Sequence, residues 1–123
     1  MEYVEDVHAL YHILDTDDPE TAERFLAAFL ETLGERLPRD EQERLASQLP
    51  DGMKPIILKH LNQDYFDREE FYSRIAARSG IGTRRTIRWA NKCGAYFVRR
   101  LTPEIIDHTL SYLGPDFREV FYS

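Results

Sequence analysis

The chain has 123 residues, enough for one compact domain and too few for two of ordinary size. Hydrophobic residues make up 42% of it and aromatic residues 12%, which argues against intrinsic disorder because a core can be buried. Twenty-two acidic and 16 basic residues give a net charge of −6, which argues against a protein that binds nucleic acid over its whole surface.

Cysteine usage and the absence of long apolar runs indicate the compartment. Cys93 is the only cysteine, which excludes an intramolecular disulfide and a cysteine-based zinc site within one chain. The first six residues lack the basic and apolar regions of a secretory signal. No stretch reaches the roughly eighteen uninterrupted apolar residues that a membrane span needs. We therefore expect a cytoplasmic protein with no membrane span.

Helical signals dominate the first half of the chain. Apolar residues between positions 4 and 14 repeat at helical spacing, and Pro19 at a first-turn position opens a long second helix to about residue 36. Pro38 follows, and Asp40 and Glu41 favour the first turn of a third helix because the helix dipole attracts anions there. The run Leu49-Pro50-Asp51-Gly52 ends that helix, and a short apolar segment covers 53–61.

The second half shows the same kind of signals. Asp67 with Glu70 forms a capping box, and Thr83 is the expected N-cap of a long helix over about 83–100. Thr102-Pro103 reads as the start of a further helix, and a last short helix covers 116–121. No segment alternates polar and apolar residues for long enough to form a strand, so the sequence predicts an all-α fold.

An internal repeat relates the two halves. With a shift of 64 residues, Arg36-Leu37-Pro38 aligns with Arg100-Leu101-Thr102, Leu49-Pro50 aligns with Leu113-Gly114, and Phe25 aligns with Trp89. Apolar positions and helix breakers agree over roughly 55 positions. The pattern predicts one domain, 1–123, built as a compact helical bundle of two similar units of about four helices each, about 1–61 and 65–123. The two long helices are expected to pack centrally.

Three segments carry a family resemblance. They are 33–38 (LGERLP), 45–50 (LASQLP) and 69–81 (EEFYSRIAARSGI). The first two resemble the LxERLxxxExxxLAxQLP signature of the family called domain of unknown function 2267, and the third is similar to its eeFlxrVAxrxGl segment. The resemblance implies a helical tandem repeat from bacteria or archaea and implies no activity, because that family offers no catalytic residues to carry over. Leu113-Gly114-Pro115 departs from the Leu-Pro expected in the second copy.

The long helix of the second half carries the first candidate site. At about 100° per residue, its basic side chains fall within an arc of roughly 100°. They are Arg84, Arg85, Arg88, Lys92 and Arg99. Ile87 and Phe97 fall on the opposite, core side, whereas Trp89, Tyr96 and Arg100 flank the arc. Such a face could hold phosphate or an acidic protein, and the alternative, which we favour, is a solvated face with Trp89 in the core.

Three weaker candidates have simpler structural explanations. The loop from Gly80 to Arg85 could bind an anion at a helix N-terminus, although no strand precedes it and a helix boundary explains its residues. His8 and His12 lie on one helix face, with Glu5 or Asp15 as further ligands, yet incidental exposure explains them better. Cys93 is expected to be a buried, inert thiol.

We therefore expect a non-enzymatic protein-interaction or regulatory module with no cofactor and no metal. Its partner would be an acidic protein, bound through Thr83 and the basic arc. There are two alternatives: the same helix binds nucleic acid, or the loop Gly80–Arg85 binds a small anionic ligand. A homodimer is also possible. Fourteen acidic and six basic residues precede position 63, whereas eight and ten follow it, so the net charge divides into −8 and +2.

Overall fold

The computed structural model describes residues 3–14 and 16–123, with side chains from His8 onward. This part of the chain is built of α-helices and one 3-10 turn, with no strand, which confirms the all-α prediction. The helices are α1 (Tyr3–Ile13), α2 (Pro19–Glu35), α3 (Arg39–Ala46), α4 (Lys54–Ile57), α5 (Arg68–Ser79), α6 (Thr83–Arg100), α7 (Pro103–Ser111) and α8 (Arg118–Phe121), with the 3-10 turn at Pro115–Phe117. In the described residues, no helix is long and apolar enough to cross a membrane.

Side-chain caps fix the start of three helices where the sequence predicts them. Asp18 accepts a hydrogen bond from the backbone N–H of Glu20 and caps α2, whose first residue is Pro19. Asp67 caps α5 in the same way, and Thr102 caps α7. At α6 the prediction is wrong, because Thr83 is the first helical residue and Gly82 is the N-cap, which offers no side-chain oxygen.

The core lies between the two long helices and the elements packed on them. α2 packs against α1, α4 and α5, and α6 packs against α5 and α8. Phe25 on α2 meets Trp89 on α6 edge to face, with ring centroids 5.3 Å apart. One turn further along α2, Phe29 stacks on Phe97 with centroids 6.0 Å apart. These aromatic pairs join α2 and α6 through fully or nearly fully buried rings.

The core face of α6 differs from the helical-wheel prediction at its first turns. Ile87 is 37% exposed, whereas Thr86 is fully buried. The turn before the helix covers Thr86, whose hydroxyl donates to the carbonyl oxygen of Ile81 and whose N–H donates to that of Gly82. The turn thus buries the side of the helix on which Thr86 lies. Ile87, the next residue, points about 100° away from that side and lies at the edge of the core.

A close backbone contact recurs on both long helices. Gly34 of α2 lies directly beneath the carbonyl group of Ile57 in α4. Gly94 of α6 lies in the same way beneath the carbonyl group of Val120 in α8. A β-carbon at either glycine would overlap with the carbonyl oxygen, so the absence of a side chain permits each short helix to pack on its long helix.

Gly34→Ala and Gly94→Ala are each expected to destabilise the fold by at least about 2 kcal/mol, because backbone atoms must move to admit the methyl group. Urea unfolding followed by circular dichroism measures the loss. Gly82→Ala is the control, since no atom lies within 4 Å of the position that its methyl group would take, and it should cost less than about 1 kcal/mol. Wild-type stability in Gly34→Ala or Gly94→Ala would contradict the steric argument.

Candidate functional site

The exposed face of α6 is strongly basic. The helix contains six basic residues and no acidic residue. Arg84, Arg85 and Arg88, which we call the arginine cluster, are exposed in its first turns, and together with Gly82 and Thr83 they line a shallow depression. Arg84 and Arg85 form no ion pair with any described residue. The cluster therefore presents cationic groups to solvent at one end of the helix.

α1 interrupts the predicted basic arc. Lys92 is half-buried, and its Nζ donates a hydrogen bond to the carbonyl oxygen of Ile13, the last residue of α1, at 3.3 Å. Arg99 is exposed beyond this crossing, roughly 22 Å from Arg84 along the helix. The five basic residues of the arc therefore do not form one surface. The structure brings Thr83 and the arginine cluster together in one depression, which Lys92 and Arg99 do not line.

The backbone at the start of α6 adds to the positive potential. The N-cap Gly82 supplies no side-chain acceptor, and the first turn contains no acidic residue. The N–H groups of the first turn therefore point toward solvent without a capping side chain. The helix dipole places a partial positive charge at the same point. Exposed N–H groups, the dipole and the arginine cluster together favour an anionic group in the depression.

Trp89 belongs to the core and not to the exposed face. Its side chain is 1% exposed and packs against Phe25. The guanidinium carbon of Arg85 lies 5.7 Å from the centre of its ring, a cation–π contact that holds Arg85 beside the depression. Tyr96 is buried as well, at 8% exposure. This confirms the core placement of Trp89 and means that neither ring is a contact residue for a partner.

The histidine and cysteine candidates have no chemical site around them. His8 and His12 are exposed, with their Nε2 atoms 3.2 Å apart, while Asp15 and the side chain of Glu5 lie outside the described residues. Among the residues that the structure describes, no group of three His, Cys, Asp or Glu side chains is arranged to hold a metal. Cys93 is fully buried, and this burial raises the pKa of its thiol, as expected for an inert cysteine.

A buried carboxylate that the sequence did not reveal joins α3 to α7. Glu41 is 1% exposed; its Oε1 lies 2.7 Å from Nδ1 of His108, and its Oε2 accepts a hydrogen bond of 2.9 Å from the hydroxyl of Thr109. Arg44 approaches the same carboxylate at 3.4 Å. We call this group the Glu41 clasp. The sequence predicts Glu41 only as a first-turn acid; its spacing of four and eight residues from Leu45 and Leu49 is the available signal for burial.

Charged side chains also join α2 to α5. Arg78 lies 2.9 Å from Glu35 and 3.6 Å from Glu31, and Arg74 lies 3.1 Å from Glu35. Burial alone would raise the pKa of both glutamates. For Glu35 the hydrogen bonds and charges of Arg78 and Arg74 outweigh it, and for Glu31 the contact with His60 and the charges of Arg78 and Lys59 do so, which leaves both pKa values below the ordinary range.

Removal of the carboxylate of the Glu41 clasp is expected to be costly. Glu41→Ala would leave the buried hydroxyl of Thr109 without its acceptor and would remove the contact with the partly exposed His108, which should lower the free energy of unfolding by about 1–3 kcal/mol. Glu43→Ala on the same helix is the matched control. Its side chain is 63% exposed and lies 3.8 Å from Arg39, so its loss should cost less than about 0.5 kcal/mol. Equal stability of the two variants would refute the structural role of the clasp.

Acidification is expected to weaken the contact between α2 and α5. Because the folded-state pKa values of Glu31 and Glu35 are lowered, their contribution is complete above the ordinary glutamate pKa of about 4.3 and is lost as the pH falls through the folded-state values. Between about pH 6 and pH 3, unfolding free energy should fall less steeply in Glu31→Gln/Glu35→Gln than in the wild type. Glu104→Gln, at an exposed position, should keep the wild-type dependence of unfolding free energy on pH. If the double variant also kept it, Glu31 and Glu35 would not be the source of the acid sensitivity.

Comparison with known proteins identifies the family. A family model described as "Uncharacterized conserved protein (DUF2267)" matches residues 3–120. No curated protein matches the chain. The match covers nearly the whole sequence, from the start of α1 to the next-to-last residue of α8, and includes both long helices and the arginine cluster. The chain therefore belongs to the DUF2267 family.

Proposed function

We propose that the protein is a non-enzymatic protein-interaction or regulatory module that contacts an acidic partner protein through the arginine cluster and Thr83. The observation that carries the proposal is the depression at the uncapped start of α6, lined by three arginines. Arg84 and Arg85 have no carboxylate partner among the described residues. A carboxylate-rich surface would therefore find free guanidinium groups and backbone donors at one place.

The distribution of charge supports an acidic partner. The protein as a whole carries −6, but α6 carries six basic residues and no acidic one. A cationic surface attracts and orients an approaching anionic protein. The acidic remainder of the molecule repels that protein from other contacts. Arg99, beyond the crossing of α1, would make at most a secondary contact, and Lys92 would make none because its ammonium group is bound to α1.

The Glu41 clasp supports a non-enzymatic role. It brings an acid, an imidazole and a hydroxyl together, which is the composition of a nucleophilic site. The hydroxyl of Thr109, however, donates to Glu41 and not to the ring of His108. Within the described part of the chain, no serine, threonine or cysteine side chain is hydrogen-bonded to that ring. The clasp thus resembles a structural tie between two helices rather than an activated nucleophile.

The two halves are proposed to be repeats of one unit. In each half a long helix is followed by two short ones, α2–α3–α4 and α6–α7–α8. In each unit a glycine of the long helix lies beneath a carbonyl group of the last short helix. The shift of 64 residues would place the second glycine at position 98, so Gly94 lies about one helical turn earlier than the repeat predicts. Similar losses of stability in Gly34→Ala and Gly94→Ala would support equivalent units, and a large difference would count against them.

Charge reversal tests the proposed surface. Arg84→Glu/Arg85→Glu should lose the acidic protein that co-purifies with the wild type from its native host, and should bind poly-L-glutamate at low salt at least about tenfold more weakly, because attraction becomes repulsion. Lys54→Glu/Arg118→Glu carries the same change in net charge on other elements and should behave as the wild type. If the first variant retains the wild-type partner, this surface is not the binding site.

A small anionic ligand at Gly80–Arg85 is the second candidate, favoured by the depression itself. If inorganic phosphate, pyrophosphate or a nucleotide binds there, it should raise the melting temperature of the wild type in a thermal-shift assay. Nucleic-acid binding is distinguished by a salt-titrated gel shift, since affinity for a polyanion falls steeply with ionic strength. Sedimentation velocity at near-neutral pH, as in the cytoplasm where we expect this protein, distinguishes a monomer from a homodimer.

A further inference from the structure

A second depression lies at the C-terminal end of α2, away from the arginine cluster. Three stretches of the chain line it: the residue that caps α2, the connector between α4 and α5, and the turn that leads into α8. They contribute Arg36, Tyr65, Asp67, Asp116 and Phe117. Phe66 and Gly114 complete the lining, so the depression combines a cation, three aromatic residues and two carboxylates.

Arg36 is a buried cation with unused donors. Its side chain is 9% exposed, with Nε donating to the carbonyl oxygen of Phe66 at 2.9 Å and Nη1 donating to that of Tyr112 at 3.1 Å. Unlike Arg74 and Arg78, it pairs with no carboxylate among the described residues. The two N–H groups of Nη2 have no acceptor there either. Because Nη2 is not enclosed, water can reach it, and acceptor atoms of a ligand in the depression can take the place of that water.

Two aromatic rings lie close to this guanidinium. Its carbon is 5.3 Å from the ring centre of Tyr65 and 5.6 Å from that of Phe117. Tyr65 is 74% exposed, so the fold does not use the area of its ring, and a hydrogen bond of 2.9 Å from its hydroxyl to Gln63 orients it. An exposed, oriented tyrosine ring beside an arginine is a surface on which a planar heterocycle can stack.

The two carboxylates provide acceptors in the same depression. Oδ1 of Asp67 accepts the N–H of Glu70, and Oδ2 of Asp116 accepts the N–H of Arg68. These bonds hold both carboxylates in place. The second oxygen of each has no donor among the residues that the structure describes. The depression therefore offers hydrogen-bond donors at Arg36, acceptors at Asp67 and Asp116, and the exposed ring of Tyr65 as a stacking surface.

We propose that this depression binds a guanine base. Guanine presents the acceptors O6 and N7 on one edge and the donors N1–H and N2–H₂ on the adjacent edge. Arg36 would donate to the acceptor edge, Asp116 or Asp67 would accept from the donor edge, and the base would stack on Tyr65. Adenine lacks the N1–H donor and places an amino group where guanine has O6, so it pairs poorly with the same groups. No phosphate is needed, which separates this site from the arginine cluster.

Guanosine, which carries no phosphate, is the probe. Titration by isothermal calorimetry and saturation-transfer NMR should show guanosine binding to the wild type and adenosine binding at least about tenfold more weakly. Tyr65→Ala should weaken guanosine binding by at least about tenfold through loss of stacking. Tyr122→Ala is the control, because Tyr122 is also exposed, at 42%, and also lies beside an arginine, Arg118, at 4.7 Å, but does not line the depression.

Asp116→Asn tests the recognition of the donor edge. The amide keeps one acceptor for the N–H of Arg68 but replaces the free oxygen by a donor, so the preference for guanosine over adenosine should fall while stacking persists. The proposal is overturned if guanosine does not bind at millimolar concentration, if adenosine binds equally well, or if Tyr65→Ala binds guanosine as the wild type does. Circular dichroism of each variant confirms that the exposed substitutions leave the fold intact.

Discussion

The burial of α2 imposes requirements that much of the structure meets. Its C-terminal carbonyl groups lie away from water and need donors. The fully buried Gln42 provides one, with Nε2 donating to the carbonyl oxygen of Gly34 at 2.6 Å, and the same Nε2 donates to that of His60, after α4, at 2.8 Å. The backbone N–H of Asp64 donates to Glu35. These bonds draw the connector 58–67 around the end of α2, and the connector in turn brings Tyr65 beside Arg36.

α6 meets a different condition, because its outer face is covered only where α1 crosses it. α5 and α8 pack on its core face, and α1 crosses its middle, where Lys92 binds the end of α1. The two ends of its outer face remain open. The absence of a capping side chain at Gly82 concentrates backbone donors at one of these ends. The candidate binding surface on α6 therefore exists because no other element covers the start of that helix. α2, in contrast, stabilises the fold because other elements pack on it.

Local chemistry explains which features the sequence predicts. Asp18, Asp67 and Thr102 act within their own first turns, so their positions suffice to predict the helix starts. The exposure of Ile87, the binding of Lys92 to α1 and the burial of Glu41 depend on elements distant in sequence, and a helical wheel contains no information about them. The arginine cluster was predictable as a set of exposed cations. The position of the Lys92 ammonium group against α1 was not, because it depends on the path of α1.

The Glu41 clasp also bears on how the chain folds. It joins residues separated by 67 positions, from one half of the molecule to the other. The loop that it closes is long, so the contact can form only after the intervening helices have assembled and its entropy cost has been met. Until then Glu41 stays hydrated, and afterwards the two halves cannot separate without breaking its contacts with His108 and Thr109. Together with the packing of α2 on α5 and the aromatic pairs between α2 and α6, this contact ties the stability of one half to that of the other.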